Sequence, residues 1–396
     1  MYLAATTELS IGTIANLPVH VHIDTVLLKV ASRCNFDCGY CYVYNMGDAS
    51  WRSLPKRMST STELAVVNQL AELRRTQKQP FAIVLHGGEP LLFGDARLSD
   101  LFRRLRNALG KSCGISIQTN GALITYAILE ICAAYGVTLS ISLDGPEKVH
   151  DRFRKDHRNK PTYQAVLKGI AKLKSHTLSA ELFSGILAVV DPSTDPGGVY
   201  QFFKDLGVPS VDFLYRDGNY TKLPYGKESP LSLEYGHWMV RIVDLYVADP
   251  SPFRIRIIDD MMKLLLGGVG VKEGVGLTDY GILVIDSDGS IKKNDTLKSS
   301  VPGDRFNSAW NIREHRLIEI TRSIEFLSYH QAQRPTSNIC LSCEHLRVCG
   351  GGMLTHRFKN ETGYDNPTIF CADQQFLIER MKKHIANYDL GHGSAA

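Results

Sequence analysis

Residues 26–41 read VLLKVASRCNFDCGYC, an apolar run at 26–30 that leads directly into a loop holding three cysteines. A short apolar run bounded by turn-forming residues reads as a buried strand. The same form recurs outward along the chain: FAIVL at 81–85 leads into HGGEP, ISIQ at 115–118 into TNG, and VTLSISL at 137–143 into DGP. LFSGILAVV at 182–190 and VDFLY at 211–215, the latter leading into RDGNY, complete the set. Amphipathic stretches at 62–75, 98–109 and 123–135, and near 163–174 and 197–206, lie between the runs. Six strands alternating with helices predict an α/β fold with a parallel sheet. Right-handed crossovers roll that sheet into a partial (β/α)6 barrel, too few strands for the eight-stranded form. The polar, glycine-rich and cysteine-rich segments follow strand ends, on the face where barrels of this kind build active sites.

The remaining segments divide the 396 residues. An N-terminal arm takes 1–23, the barrel 24–233, bridging helices and a hairpin 234–334, and a cysteine-bearing domain with a C-terminal helix 335–396. Helical patterns occupy 235–247, 257–267 and 373–387, and GILVID at 281–286 with the turn Ser287-Asp288-Gly289 reads as the hairpin. Hydrophobic residues make up 44% and charged residues 22%, the balance of an ordinary globular protein and not of a disordered or membrane-embedded chain. A net charge of +4 with scattered basic residues gives no nucleic-acid footprint. No signal peptide or membrane-length apolar stretch is present, so the expected compartment is the cytoplasm. In that reducing setting nine cysteines in two clusters point to metal ligands.

Cys34, Cys38 and Cys41 have the spacing C-x3-C-x2-C. Three thiolates can hold three irons of a four-iron four-sulfur cluster and leave the fourth open. A zinc site completed by a distant histidine, His20 or His22, is the competing reading. In the tail, Cys340-x2-Cys343-x5-Cys349 and Cys371 offer four soft ligands, enough for tetrahedral zinc or for every iron of a second cluster. Cys113 and Cys132 read as small core residues.

With Tyr40 before its last cysteine, the triad resembles the radical S-adenosylmethionine (radical SAM) signature, and Gly87-Gly88-Glu89-Pro90 is similar to that family's methionine-binding motif. The resemblance implies that SAM chelates the open iron. It assigns Glu89 and the Gly87 and Gly88 backbone to the amine, and Tyr40 to the adenine. Gln118, Asn120 and Ser142 fall to the ribose or carboxylate, and Arg154, in His-Asp-x-x-Arg-Lys-Asp, to the carboxylate. Read without the resemblance, Arg154 belongs to a solvated basic run.

CLSCEHLRVCGGGM resembles the SPASM extension of radical SAM peptide-modifying enzymes, whose outer auxiliary cluster such a four-cysteine set ligates. A full SPASM domain has a further cysteine where this chain has Met353, and others around the hairpin, where Asn294 stands. Two [4Fe-4S] clusters are therefore expected, one binding SAM and one auxiliary. YVYNMGDASW at 42–51, Arg57-Met58-Ser59, HGGEPLL at 86–92, QTNG at 118–121, CGGGMLTHRF at 349–358 and GYDNPTIFC at 363–371 look like the Fxs-type and Xye-type cyclophane-forming maturases.

That resemblance implies an oxidoreductase that joins an aromatic ring to a β-carbon in a ribosomally synthesised precursor peptide, supplied with electrons by a donor such as flavodoxin or ferredoxin. Restoring the ring requires loss of a proton, for which Asp217, after the sixth strand, is the candidate base; its plainer reading is a surface-loop aspartate. Sulfatase-maturing, thioether-forming and epimerising enzymes use the same SAM machinery and stay open. So does a zinc-dependent peptide-binding protein without activity.

Overall fold

The computed structural model describes residues 20–392 except 279 and 302, so the expected N-terminal arm lies outside the described residues up to residue 19. Six strands form where the apolar runs stand: β1 (Thr25–Ala31), β2 (Ala82–Gly87), β3 (Ile115–Thr119), β4 (Val137–Ser142), β5 (Phe183–Val189) and β6 (Ser210–Leu214). They pair in parallel in sequence order. Strict alternation of burial along β3 explains the partition of its side chains. Ile115, Ile117 and Thr119 are buried, while Ser116 and Gln118 stay half-exposed on the other face.

The crossover helices begin and end on local signals. Ser59 accepts from the Thr62 amide and Thr125 from that of Ile128, capping the helices Thr60–Gln77 and Tyr126–Tyr135. Asp195 caps Pro196–Leu206, which has proline in its first turn. Gly136 and Gly207 close their helices in the left-handed conformation. Cys113 and Cys132 are fully buried, as core residues should be.

The sheet runs on at both edges. β7 (Arg254–Ile255) adds beside β6. β8 (Ile282–Ile285) pairs in parallel with β1, and β9 (Ile291–Lys292) folds back antiparallel to β8, giving nine strands in all among the described residues. The expected hairpin thus forms and also covers the open β1 edge, as a fully buried ILVI strand requires. Gly281 makes the approach sterically allowed, since a Cβ there would meet the His22 carbonyl oxygen at 1.8 Å.

The C-terminal helix Cys371–His392 packs on Glu234–Ala248. At its start Asp373 accepts from Lys227 Nζ at 2.6 Å and the Gly236 amide at 2.7 Å, and Phe370 stacks on Tyr215 at the end of β6. The cysteine-bearing segment is thereby fixed against the barrel mouth. No helix of the described residues is long and apolar enough to cross a membrane.

Candidate active site

The triad loop leaves β1 and is laced to the segment after β4. The Asp37 and Gly39 amides donate to the Lys155 and Phe153 carbonyls at 2.7 and 2.9 Å, and His157 meets the Cys34 carbonyl at 2.9 Å. Cys34 Sγ accepts from the Phe36 amide at 3.3 Å. Burial raises all three thiols, Cys38 to about 11, with the nearby Arg154 charge opposing. Desolvated thiols of this kind become thiolates when a metal charge is supplied.

The Gly87-Gly88-Glu89 segment lies against the same loop. A Cβ on Gly88 would sit 2.3 Å from the Arg33 carbonyl oxygen, and one on Gly87 2.0 Å from that of Ala31, so backbone approach here demands glycine. Glu89 is fully buried, and its carboxylate accepts from the Asn120 amide (2.8 Å), Thr119 Oγ1 (2.7 Å) and the Leu91 amide (3.0 Å). Burial pushes its carboxyl up to about 7, with those bonds opposing. Its visible work is thus to tie the β2 and β3 loops together. Asn120 Nδ2 donates to Asn35 at 2.8 Å, and Gln118 Nε2 to Ser142 Oγ at 3.0 Å, on the half-exposed face of the strands.

Arg154 is the one buried residue in a run that is otherwise exposed or half-buried, and it donates through Nε to Asp144 at 3.0 Å. The solvated-face reading of this residue is therefore set aside. Asp144 also accepts the Tyr40 hydroxyl at 2.5 Å and the Val189 amide at 3.0 Å. The Tyr40 ring lies beside two guanidinium groups, Arg154 at 5.4 Å and Arg216 at 5.1 Å. Asp144 and Arg216 were not singled out from sequence; their signal was their place directly after β4 and β6.

Cys340, Cys343, Cys349 and Cys371 line one cavity of about 360 Å³ with Leu346 and Thr368. Among the described residues, the only trio of His, Cys, Asp or Glu ligand atoms mutually within 4.8 Å is Glu344, His345 and Glu379. Neither cysteine set is drawn together to the sulfur–sulfur edge of about 3.8 Å that tetrahedral zinc with bonds of about 2.3 Å requires. Buried Arg357 donates to the Gly351 and Gly352 carbonyls at 2.9 and 2.8 Å, placing a cation near Cys340 and Cys349. His22 sits before β1, bonded near Asp24, with the seven-residue strand between it and the triad loop, too far to complete a zinc site there.

Asp217 is not a free surface residue: its Oδ1 lies 3.5 Å from Nε2 of buried His356, in the cysteine-bearing segment. His356 belongs to the quoted CGGGMLTHRF but carried no assignment, because nothing local links it to Asp217. Asn294 and Met353, the positions at which the SPASM likeness expects thiols, line one cleft of about 680 Å³ with no cysteine in its wall.

Residues 28–195 match the family model for the radical SAM superfamily. A serine-type anaerobic sulfatase-maturating enzyme from Bacteroides thetaiotaomicron is 27% identical, over 91% of this chain and 92% of its own length. A cysteine-type anaerobic sulfatase-maturating enzyme from Clostridium perfringens strain 13 is 23% identical, over 90% and 95%. In structure, native anSMEcpe with bound AdoMet superimposes with a TM-score of 0.79 at 22% identity, covering 92% of this chain and 98% of that one. SuiB of Streptococcus suis bound to precursor peptide SuiA gives 0.59 at 14%, over 89% and 75%. The fold is thus the α/β radical SAM partial barrel, shared with SPASM-type enzymes. Residues 28–195 thus form a radical SAM region, the mark of a superfamily of enzymes that uses SAM and a four-iron four-sulfur cluster, and the chain has homologues among the anaerobic sulfatase maturases.

Proposed function

We propose that the enzyme oxidises a side chain of a ribosomally synthesised precursor peptide at its β-carbon and joins that carbon to an aromatic ring, closing a cyclophane. The observation that supports this reading is the 3.5 Å approach of Asp217, after the sixth strand, to His356 of the four-cysteine segment. When bound, SAM with its cluster supplies a deoxyadenosyl radical able to take a hydrogen atom from carbon, and a second cluster an outlet for one electron.

In this reading Cys34, Cys38 and Cys41 hold the first cluster with one iron open, and Cys340, Cys343, Cys349 and Cys371 close the second. The Gly87-Gly88 backbone lets the methionine amine approach, and Tyr40 with Arg154 borders the adenine and carboxylate. The Gln118–Ser142 pair and Asn120 offer donors and acceptors to the ribose. Asp217, which lies beside His356, takes the ring proton. The substrate loses one hydrogen atom, one electron and one proton, which balances the new carbon–carbon bond. A flavodoxin or ferredoxin would supply the initiating electron, and the cytoplasm the reducing setting.

A second reading is favoured by the full-length likeness to sulfatase-maturating enzymes: oxidation of the same β-carbon to an aldehyde on a sulfatase. Peptide deuterated at the β-carbon tests the shared first step. Deuterium in the recovered deoxyadenosine is expected; deuterium coming only from an α-carbon position would replace both readings with epimerisation.

A further inference from the structure

Arg357 is, by volume, the largest fully buried side chain among the described residues, and its charge meets no acid. It closes the short 3-10 turn Leu354–Arg357, beyond the glycine run that follows Cys349. Its Nε donates to the Gly351 carbonyl at 2.9 Å, and its Nη2 to the Gly352 carbonyl at 2.8 Å and to that of Gln333. All three partners are neutral. Among the described residues no Asp or Glu oxygen lies within 4.0 Å of the guanidinium. Gly351 lines the same cavity as Cys340, Cys343, Cys349 and Cys371, so the guanidinium stands directly behind the wall of that cavity. His345, also in the wall, is matched by contrast, with Glu379 at 3.4 Å.

A buried cation is costly unless an opposite charge compensates it. Carbonyl groups hydrogen-bond it but carry no net charge, and neutral thiols add none. Thiolates closed on an iron–sulfur core leave a net negative charge, which reduction increases. A fixed cation behind the wall therefore favours the reduced state. We infer that Arg357 is the buried counter-charge of the tail cluster and sets its potential high enough to take up the electron released as the aromatic ring is restored. The inference rests on the proposed second cluster. The substrate radical loses one electron to the oxidised cluster and one proton to Asp217, so the step balances. Arg357 touches neither substrate nor SAM in this role and acts only through the charge of the cluster.

The test is a redox titration of reconstituted holoenzyme followed by electron paramagnetic resonance, with and without SAM, alongside iron analysis. The signal that SAM leaves unchanged reports the tail cluster. Arg357→Met removes the charge, whereas Arg357→Lys keeps it and loses the planar fork. At one applied potential the ratio of reduced to oxidised tail cluster should fall about tenfold in Arg357→Met, a shift of about 59 mV for a one-electron couple. Arg357→Lys should keep the wild-type ratio. Where Arg357→Met loses the tail irons altogether, a retained cluster with the wild-type ratio in Arg357→Lys gives the same answer, since Lys restores the charge without the fork. A ratio not lowered in Arg357→Met overturns the inference, and so does a lowered ratio or loss of tail irons in Arg357→Lys. Wild type with about eight irons whose tail cluster stays unreduced overturns it too, and wild type with about four irons removes the second cluster itself.

Discussion

Asp217 Oδ1 and His356 Nε2 lie 3.5 Å apart, although one residue follows the last barrel strand and the other sits beyond the third cysteine of the tail. The buried His356 ring also packs edge-on against Phe370, centroid to centroid 5.0 Å. The two side chains are thus neighbours without a hydrogen bond between them, His356 Nε2 having no hydrogen-bond partner. Asp217→Asn should lower crosslinked product by about 100-fold or more, the usual contribution of a general base, while deoxyadenosine is still formed. His356→Ala should lower product less. Chromatographic quantitation of both products checks this, and wild-type yield from Asp217→Asn would remove the residue from the chemistry.

The three-plus-four division of cysteines sets the iron content. Anaerobically reconstituted protein should hold about eight irons per chain, and about four once Cys34, Cys38 and Cys41 are all changed to Ala. Iron and acid-labile sulfide assays decide it. About twelve irons would mean a third cluster, and stoichiometric zinc would remove the auxiliary cluster.

The two cysteine sets should separate two activities. Cys41→Ala should abolish reductive SAM cleavage, whereas Cys343→Ala should keep part of it and lose peptide product. Full product formation by Cys343→Ala would show that the tail site is dispensable.

Gly350 has φ +66°, and a Cβ there would meet the Gly276 carbonyl oxygen at 2.0 Å. Gly350→Ala should therefore destabilise the protein by about 1–3 kcal/mol or more. It should also cost about four irons from the tail while the triad's about four remain. Thermal melts with iron analysis check this, and an unchanged melting temperature would contradict it.

The six barrel strands and their helices are legible because each buried strand is a short apolar run and the helices between are amphipathic, three of them with a capping side chain. The two residues of β7 are too short to leave a pattern. The hairpin is legible from its turn, but its parallel docking on β1 is not, since ILVI specifies burial without naming a partner. Chemistry concentrated in motifs, the triad and GGEP, can be read directly. Contacts between distant loops cannot: Tyr40 and Asp144 are 104 residues apart, and only the folded loops bring them together. Arg154 is hidden for the opposite reason, as the one buried side chain in a run whose other members look like an exposed basic face.

The central claim is a carbon–carbon crosslink formed on a precursor peptide, and the most direct measurement is the product itself. The enzyme is co-expressed with candidate precursor peptides, and each peptide is analysed by tandem mass spectrometry and two-dimensional NMR. The account predicts a product lighter by about two mass units, no backbone fragmentation between an aromatic residue and its partner, and a ring carbon bonded to that partner's β-carbon. A mass-neutral epimer, a bond through cysteine sulfur, or an aldehyde formed on a sulfatase peptide in its place would contradict it.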